Sequence, residues 1–235
     1  MNIMYKRVLL KISGEALAGE KSCGIDFKVV ENIAKIIKEC AEAEVQVAIV
    51  VGGGNFWRGR TSGTMNRVKA DHMGMLATVM NAIALDDTLS ELGMESRVMT
   101  SIPFPQVGEH YSPARAIHHL EKGRIVIFGY GTGNAFFSTD TLASLRAAEI
   151  QADAIFKATN TDGIYDSDPK TNPNAKKYTE VTFDEILAKN LKVMDSSAAS
   201  MCRDNKIPVM VFNLSKSENL LKTLQGENLG TIANP

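Results

Sequence analysis

Short, almost continuously apolar runs alternate along the chain with longer segments whose apolar residues recur every three or four positions. Runs of the first kind suit strands that are buried on both faces of a parallel sheet. Strands that alternate with helices indicate an α/β fold with a mostly parallel sheet. The predicted strands are Arg7–Ile12, Gln46–Val51, Ser96–Ser101, Arg124–Phe128, Ala154–Ala158 and Pro208–Asn213.

Capping residues indicate where several helices begin. Ser112 is a favoured N-cap, and Pro113 follows it at the first helical position, where proline is tolerated best. The loose stretch Asp166–Lys177, with two prolines and two asparagines, is predicted to be a long loop. The predicted helices are Asp26–Glu42, Asn66–Leu92 and Ser112–Glu121, with two more beginning at the capping-box pairs Thr182/Glu185 and Ser215/Glu218.

The predicted helix Asn66–Leu92 is rich in methionine and has apolar residues spaced for one face. Such a stripe is typical of the face that a helix turns toward the core. The 11 methionines of the chain are therefore expected to be mostly core residues, including Met73, Met75 and Met80. The stripe consists of Met73, Leu76, Ala77, Met80, Ile83 and Ala84.

The overall composition is that of an ordinary folded protein. Apolar residues make up 44% of the 235 residues and the net charge is -1, which excludes global disorder and argues against a nucleic-acid-coating protein. No linker interrupts the chain, so residues 1–235 are expected to form a single domain. With no run of 18 apolar residues and no CxxC pair, we expect no membrane span, zinc knuckle or disulfide framework, and a cytoplasmic location.

Glycine and small polar residues follow four of the predicted strands. In an open α/β sheet ligands bind beyond the carboxyl ends of the strands, so these turns are the candidate site. A single glycine-rich turn is usually only a tight connection, but three consecutive glycines cost backbone entropy that an ordinary turn avoids. Backbone N–H groups in such turns can approach phosphate oxygens closely. The turns are Lys11–Gly14, Gly52–Asn55, Gly129–Asn134 and Thr159–Gly163.

Two familiar nucleotide motifs are approached but not met. The stretch Gly14–Ser22 resembles a P-loop, because Gly14 and Gly19 have the spacing of its two glycines. Glu20, however, stands where that motif requires lysine. The stretch Gly129–Asn134 resembles the glycine-rich motif of dinucleotide-binding proteins in its first two glycines, Gly129 and Gly131. Asn134 replaces the third glycine of that motif. Both motifs are therefore rejected.

Three charged residues beside these turns could act on a phosphoryl group. Lys11 lies within an apolar strand, where it is either an edge lysine that blocks aggregation or a positive charge at the ligand edge. Arg58 could clamp a phosphate or simply lie at the surface. Asp140 follows Ser138 at a helix start, where an acid is also favoured by the helix dipole alone.

The sequence resembles the bacterial uridylate (UMP) kinases of the amino-acid-kinase fold family. The likeness extends from Lys6 to Thr231, and the stretches Asp71–Thr78 and Thr132–Asp140 distinguish this family from acetylglutamate, glutamate and aspartate kinases. One departure is Phe56-Trp57 before Arg58, where the family more often has an aliphatic residue and then Phe. Further matching segments are Lys11–Leu17, Gly52–Asn55, Met65–Arg67, Lys157–Thr159, Asp162–Tyr165, Asp168-Pro169 and Lys192–Asp195.

The resemblance implies a three-layer αβα sandwich and transfer of the ATP γ-phosphoryl group to UMP, giving UDP and ADP. Mg²⁺ would be held mainly by the ATP phosphates, without protein ligands. The resemblance also implies a homohexamer, with GTP and UTP as possible effectors. The N-terminal part of the domain would form mainly the UMP side and the C-terminal part mainly the ATP side.

The resemblance also implies roles for individual residues. Lys11, Arg58 and Asp140 would be catalytic, with Asp140 organising the lysine and the donor phosphates. The implied ATP site comprises Lys11, Ile12, Ser13, Gly14, Gly54, Arg58, Thr159, Asn160, Tyr165 and Asp168. The implied UMP site comprises Gly53, Asp71, Thr132, Gly133, Asn134, Ala135, Phe136, Phe137, Ser138 and Thr139.

Two other functions remain as alternatives. A non-catalytic sensor subunit that binds UTP or GTP could use the same fold, although the presence of both Lys11 and Asp140 weighs against it. A kinase for a carboxylate or carbamate substrate would need a carboxylate-binding arginine in place of the Thr132–Thr139 stretch.

Overall fold

A computed structural model describes residues 3–21, 23–58, 63–159, 161–169, 171–213 and 218–235, and the side chains of all of these except 218 and 219. Within these ranges, nine strands form one sheet in the order β4-β3-β5-β2-β1-β6-β8-β9-β7. All neighbours are parallel except β8 and β9. The strands are β1 Arg7–Ile12, β2 Gln46–Val51, β3 Ser96–Thr100, β4 Glu109–His110, β5 Ile125–Gly129, β6 Ala154–Thr159, β7 Glu180–Thr182, β8 Val209–Asn213 and β9 Thr231–Asn234.

Helices cover both faces of this sheet. Alternate residues of β1 divide the core: Leu10 packs with α2, α3 and α8 on one face, and Leu9 packs with α4 to α7 on the other. This arrangement confirms the predicted three-layer αβα sandwich. The helices are α1 Gly14–Ala18, α2 Phe27–Glu42, α3 Arg67–Glu91, α4 Pro113–Glu121, α5 Thr139–Glu149, α6 Phe183–Ala188, α7 Ser196–Asp204 and α8 Glu218–Leu224.

The predicted helix starts are confirmed at four caps. The side chains of Asp26, Asn66, Ser112 and Thr182 each accept a backbone N–H in the first turn of α2, α3, α4 and α6. These caps satisfy N–H groups that have no partner within the helix. The predicted cap Ser215 lies outside the described residues.

The prediction that the apolar stripe of α3 faces the core was wrong for its larger side chains, although Ala77 and Ala84 of the stripe are buried. Met73 is 38% exposed and Met80 is 45% exposed, whereas Met75 is buried as expected. The face of α3 that packs on the sheet consists instead of smaller residues such as Ala82, with Leu85 and Leu89 farther along. Because α3 has apolar residues on more than one face, spacing alone could not identify the buried one. In the described ranges, no helix combines the length and apolarity that a membrane crossing requires.

Candidate active site

The two glycine turns after β1 and β2 lie side by side at the carboxyl edge of the sheet. The strands are in register to their last residues, Ile12 and Val51, and the Gly52 N–H donates to the Ile12 carbonyl at 2.9 Å. A Cβ atom on Gly14 would lie 2.6 Å from the Gly52 oxygen and 2.7 Å from the Gly54 nitrogen. Only glycine permits this approach, and it brings the backbone of both turns to one place.

A cluster of three charged side chains lies beside these turns. Lys11 of β1 and Lys157 of β6 are register partners on neighbouring strands, so their side chains leave the sheet on the same face. The Lys11 Nζ atom is 2.9 Å from Asp140 Oδ1, and the Lys157 Nζ atom is 2.6 Å from Asp140 Oδ2. Lys157 also donates to the Val193 carbonyl. Two ammonium groups on one carboxylate leave the cluster with one net positive charge.

Burial and charge together shift the pKa values in this cluster. Burial alone would raise the pKa of Asp140, but the adjacent ammonium groups of Lys11 and Lys157 outweigh it and lower that pKa below its ordinary value. For Lys157, burial dominates and lowers the pKa of the ammonium group, although Asp140 partly opposes this change. Asp140 is thus held as a carboxylate, whereas Lys157 gives up its proton more readily than an exposed lysine.

Helix α5 presents Asp140 in its first turn. Ser138 caps this helix and accepts the backbone N–H groups of Asp140 at 3.0 Å and Thr141 at 3.1 Å. The hydroxyls of Ser138 and Thr141 donate to Asp195, which in turn caps α7 by accepting the Ala198 N–H at 3.0 Å. Asp195 therefore fixes the start of α5 against α7, and with it the orientation of Asp140.

A cavity of about 450 Å³ opens in front of the two glycine turns. Its floor is formed by the turns and Lys11, and its walls by the start of α3 and the loop between β5 and α5. Such a volume suits a small-molecule site. The predicted residues that line it are Lys11, Ser13, Gly14, Gly53, Gly54, Arg58, Asp71, Thr132, Asn134, Phe137, Ser138 and Thr139.

Two ion pairs lie at the rim of this cavity. Arg58 pairs with Glu15, and both side chains are about half exposed. Arg67 holds Asp71 at 2.8 and 2.9 Å through its Nε atom, and Asp71 also accepts the Phe136 N–H at 2.8 Å. The second contact joins α3 to the loop before α5. This loop has positive φ angles at Tyr130, Gly131, Gly133 and Phe136.

A second cavity, of about 410 Å³, lies beyond the end of β6. Its lining includes three predicted residues, Thr159, Tyr165 and Asp168, together with apolar contacts from Val193 and Val211. The cluster of Lys11, Asp140 and Lys157 lies between the two linings, because Lys11 lines the first cavity and Lys157 donates to the carbonyl of Val193, which lines the second. The predicted residue Asn160 lies outside the described residues.

Several predicted residues do not line either cavity. The Ile12 side chain is fully buried in the core, so this residue could contact a ligand only through its backbone. Phe136 is 67% exposed and packs its ring against Arg67, while its N–H is taken by Asp71. Gly133 faces Ser101. Asp140 does not line the first cavity itself but pairs with Lys11, which does. Ala135 lies in the loop before α5 and does not line the first cavity either.

Sequence reasoning did not identify five residues that help to build the site. Lys157 carried the same signal as Lys11, a lysine in an otherwise apolar strand, and could have been found by it. Asp195 acts on residues more than 50 positions away, which no local pattern reveals. The other three are Glu15, Trp57 and Arg67, which all line the first cavity.

The arrangement can hold two anionic ligands close together. Backbone N–H groups at the glycine turns, the start of α5 and the excess positive charge of the cluster all favour negative charge. Within the described residues, no group of three or more His, Cys, Asp or Glu side chains could hold a metal ion. The described side chains and backbone N–H groups can contribute positioning and charge stabilisation.

Comparisons with known proteins agree with this geometry. Residues 6–213 match the amino acid kinase family. A UMP kinase from Bacillus anthracis is 41% identical with a TM-score of 0.95, and the match covers 98% of this chain and 96% of that one. A UMP kinase from Ureaplasma parvum is 39% identical (TM-score 0.93, covering 98% and 99%), and a uridylate kinase from Archaeoglobus fulgidus is 27% identical (TM-score 0.72, covering 96% and 99%). The chain belongs to the amino acid kinase family.

Proposed function

We propose that this chain is a nucleoside monophosphate kinase that transfers the γ-phosphoryl group of ATP to UMP. A phosphate oxygen of UMP forms a bond to the γ-phosphorus, the bond from that phosphorus to the β,γ-bridging oxygen breaks, and UDP and ADP leave. In this reaction the protein has little covalent work to do, so its contribution is alignment and charge stabilisation.

The observation that carries this proposal is the charged cluster between the two cavities. A phosphoryl group in transfer carries negative charge on its oxygens, and Lys11 is the cluster member that lines the cavity of the glycine turns. Because Asp140 balances only one of the two lysines, the cluster retains a positive charge at the junction of the cavities. Asp140 thus keeps the two ammonium groups together without neutralising both.

We assign one cavity to each nucleotide. The cavity bounded by Asp71 and the Thr132–Thr139 loop would take UMP, and the cavity beyond Thr159 would take the adenosine of ATP. The phosphates of both would meet at Gly14, Gly53 and Gly54, where backbone N–H groups are close together. This division fits a single domain whose N-terminal part mainly serves UMP and whose C-terminal part mainly serves ATP.

Magnesium would enter this site with the nucleotide. Mg²⁺ is commonly held by substrate phosphates and water, with at most one or two carboxylates. Among the described residues, the carboxylates that line the cavity of the glycine turns are Glu15 and Asp71, paired with Arg58 and Arg67, and both lysines already engage Asp140. When bound, the ion would offset the charge of the donor phosphates.

The test is ADP release from Mg-ATP with UMP, CMP, dUMP, carbamate and N-acetylglutamate offered separately. We expect ADP with UMP and none with carbamate or N-acetylglutamate, because the stretch Thr132–Thr139 contains no arginine that could bind an acceptor carboxylate. ADP formed only with carbamate or N-acetylglutamate would contradict the proposal. ADP formed with none of them, while UTP or GTP still raised the melting temperature, would instead support the sensor function. The same assay with added GTP and UTP would test both as effectors.

We also propose that the chain assembles as a homohexamer, in which the exposed face of α3 forms one of the contacts. Between Lys69 and Asp87, the exposed positions of this helix are 69, 73, 76, 80, 83 and 87. Their alternating spacing of three and four is that of a coiled-coil seam. The four inner positions are apolar, and each is at least 38% exposed: Met73, Leu76, Met80 and Ile83.

This seam is self-complementary. If a second copy of α3 lies antiparallel across a two-fold axis near residue 78, Met73 meets Ile83 and Leu76 meets Met80. The same register pairs Lys69 of each copy with Asp87 of the other. A two-fold contact requires such matching of a surface with itself, and here both the apolar residues and the charges match.

Leu76→Glu should break this contact. The substitution puts a charge at the centre of the seam in both copies, where it would be desolvated without a partner. We expect sedimentation velocity to show a smaller assembly than wild type. Phe27→Glu is a matched control, because Phe27 is also an exposed apolar helical residue but lies at the start of α2, away from the seam. An unchanged sedimentation coefficient for Leu76→Glu would exclude the seam as an interface.

Charge reversal tests the antiparallel register itself. Lys69→Asp would put two acidic residues opposite each other and should weaken the assembly. The double variant Lys69→Asp with Asp87→Lys restores opposite charges in this register alone and should recover it. A double variant as weak as the single one would contradict the antiparallel arrangement.

A further inference from the structure

A pair of buried asparagine side chains lies beneath the glycine turn after β2. Asn55 is 3% exposed and Asn81, on α3, is fully buried. The two amides bond to each other reciprocally: Asn55 Nδ2 donates to Asn81 Oδ1 at 2.9 Å, and Asn81 Nδ2 donates to Asn55 Oδ1 at 2.8 Å. Buried amides are costly unless they are paired in this way, so the arrangement calls for a reason beyond packing.

The remaining hydrogens of both amides hold backbone carbonyls. Asn81 Nδ2 donates to the Gly52 oxygen at 2.7 Å, and Asn55 Nδ2 donates to the Gly24 oxygen at 2.8 Å. The Gly24 N–H in turn donates to the Asn55 carbonyl at 3.0 Å. The amide pair therefore links α3, the first and last residues of the Gly52–Asn55 turn, and the loop before α2.

The amide pair lies so close to the backbone of the turns after β1 and β2 that its position determines theirs. A Cβ on Gly14 would lie 2.6 Å from Asn55 Oδ1, so the amide fixes how near the turn after β1 can come. A Cβ on Gly53 would lie 2.5 Å from the Gly74 oxygen of α3. With so little free space, a shift of the amide pair must shift the N–H groups of Gly53 and Gly54.

We propose that Asn81 is a positioning residue for phosphoryl transfer. It does not line the cavity, but it fixes Gly52 directly and Gly53 and Gly54 through Asn55, so that the turns after β1 and β2 hold both sets of phosphates in line. This inference rests on the proposed kinase function. Near-attack alignment is sensitive to displacement, and an error of about 1 Å can cost about 100-fold in rate.

The test compares Asn81→Ala with Leu89→Ala. Both residues are fully buried on α3, but Leu89 is eight residues from Asn81 and packs in the core away from the turn. We expect Asn81→Ala to lower kcat with UMP at least tenfold and to change each KM less than threefold, because the nucleosides bind elsewhere. Leu89→Ala should lower the melting temperature and leave kcat within twofold of wild type.

A spectroscopic readout makes the test independent of activity. Trp57 is the only tryptophan of the chain, lines the cavity, and donates its backbone N–H to the Gly53 carbonyl at 3.0 Å. Its emission spectrum, measured well below the melting temperatures, should shift in Asn81→Ala and remain unchanged in Leu89→Ala. The spectrum reports the position of the turn even if the wild-type protein forms no ADP, so failure of the kinase proposal would be recognised separately.

Asn81→Asp provides a second variant of nearly the same shape. Its carboxylate would face the Gly52 carbonyl and Asn55 Oδ1 without a hydrogen to donate, so the same loss of kcat and the same spectral change are expected. Asn81→Ala introduces neither charge nor bulk and supplies the result if the aspartate variant does not fold. Wild-type kcat and an unshifted Trp57 spectrum in Asn81→Ala would overturn the proposal.

Discussion

Asp140→Asn should lower kcat for ADP formation with UMP by about two to three orders of magnitude, the range expected when one pre-organised electrostatic group is lost. The carboxylate holds Lys11 and Lys157 within 2.9 Å of its two oxygens. An amide cannot balance either ammonium group, so the two lysines would repel each other and move apart. The loss should appear in single-turnover measurements, which isolate the chemical step.

The same substitution should change stability in a pH-dependent way. Because the pKa of Asp140 is lowered in the folded state, its carboxylate stabilises the fold fully above its unfolded-state pKa. That contribution disappears as pH falls through the lowered folded pKa. The melting temperature of Asp140→Asn should therefore lie farthest below wild type near neutral pH, and the difference should shrink in strong acid.

Asp153→Asn is the matched control for this prediction. Asp153 accepts the backbone N–H groups of Lys6 and Arg7 at 2.7 and 2.8 Å, at the opposite edge of the sheet from the candidate site. The control should lose some stability and keep wild-type kcat. If Asp140→Asn retained a kcat near that of wild type, Asp140 would have no part in the transfer step.

The sheet could be predicted largely from the sequence because its central strands are continuously apolar. β1 and β2 were predicted to the residue, since Lys6 and Glu44 are polar on one side of them and glycine-rich turns follow on the other. The strands β4, β7 and β9 were not predicted. They have two to four residues each and lie toward the sheet edges, where a strand needs no long apolar run.

The candidate site could be predicted in outline for a similar reason. Parallel strands end at the same edge, so residues that follow different strands must lie together even when they are far apart in sequence. Which residues lie side by side on neighbouring strands could not be predicted in this way, because it depends on how the strands pair in space. The sequence alone did not indicate that Lys157 lies beside Lys11, or that both reach Asp140. The amide pair of Asn55 and Asn81 is likewise a contact between distant elements.

The sequence alone did not indicate that the larger apolar residues of α3 are exposed. The spacing of Met73, Leu76, Met80 and Ile83 correctly indicated one helical face, but periodicity does not distinguish a face that packs on the sheet from one that is exposed. The small residues Ala70, Ala77 and Ala82, all buried, allow close approach of α3 to the rest of the fold and were the better guide.

Lys157→Met should lower kcat about as strongly as Asp140→Asn while leaving the protein nearly as stable as wild type. Without Lys157, Asp140 and Lys11 form a neutral pair, and the positive charge available to the transferring phosphoryl group is lost. The lowered pKa of Lys157 means that the fold disfavours its charged form relative to the unfolded chain. Removing that charge relieves the cost of burying it, and Asp140 is not left as an unpaired buried charge because Lys11 remains 2.9 Å away.

We expect the melting temperature of Lys157→Met to lie within about 4 °C of wild type, which corresponds to about 1–2 kcal/mol for a chain of this size. Lys35→Met is the matched control, since Lys35 is an exposed lysine on α2 paired with Glu31.

The pH profile separates a charge effect from a packing effect at this position. Because the folded-state pKa of Lys157 is lowered, wild-type kcat/KM for Mg-ATP should fall on the alkaline side at a pH below the ordinary lysine value of 10.5. Lys157→Met has no proton to lose there, so its residual activity should lack this alkaline decline. A decline at the same pH in both proteins would mean that another group titrates. A wild-type kcat in the variant would remove Lys157 from the reaction and leave Lys11 as the cluster's only contribution to the moving phosphoryl group.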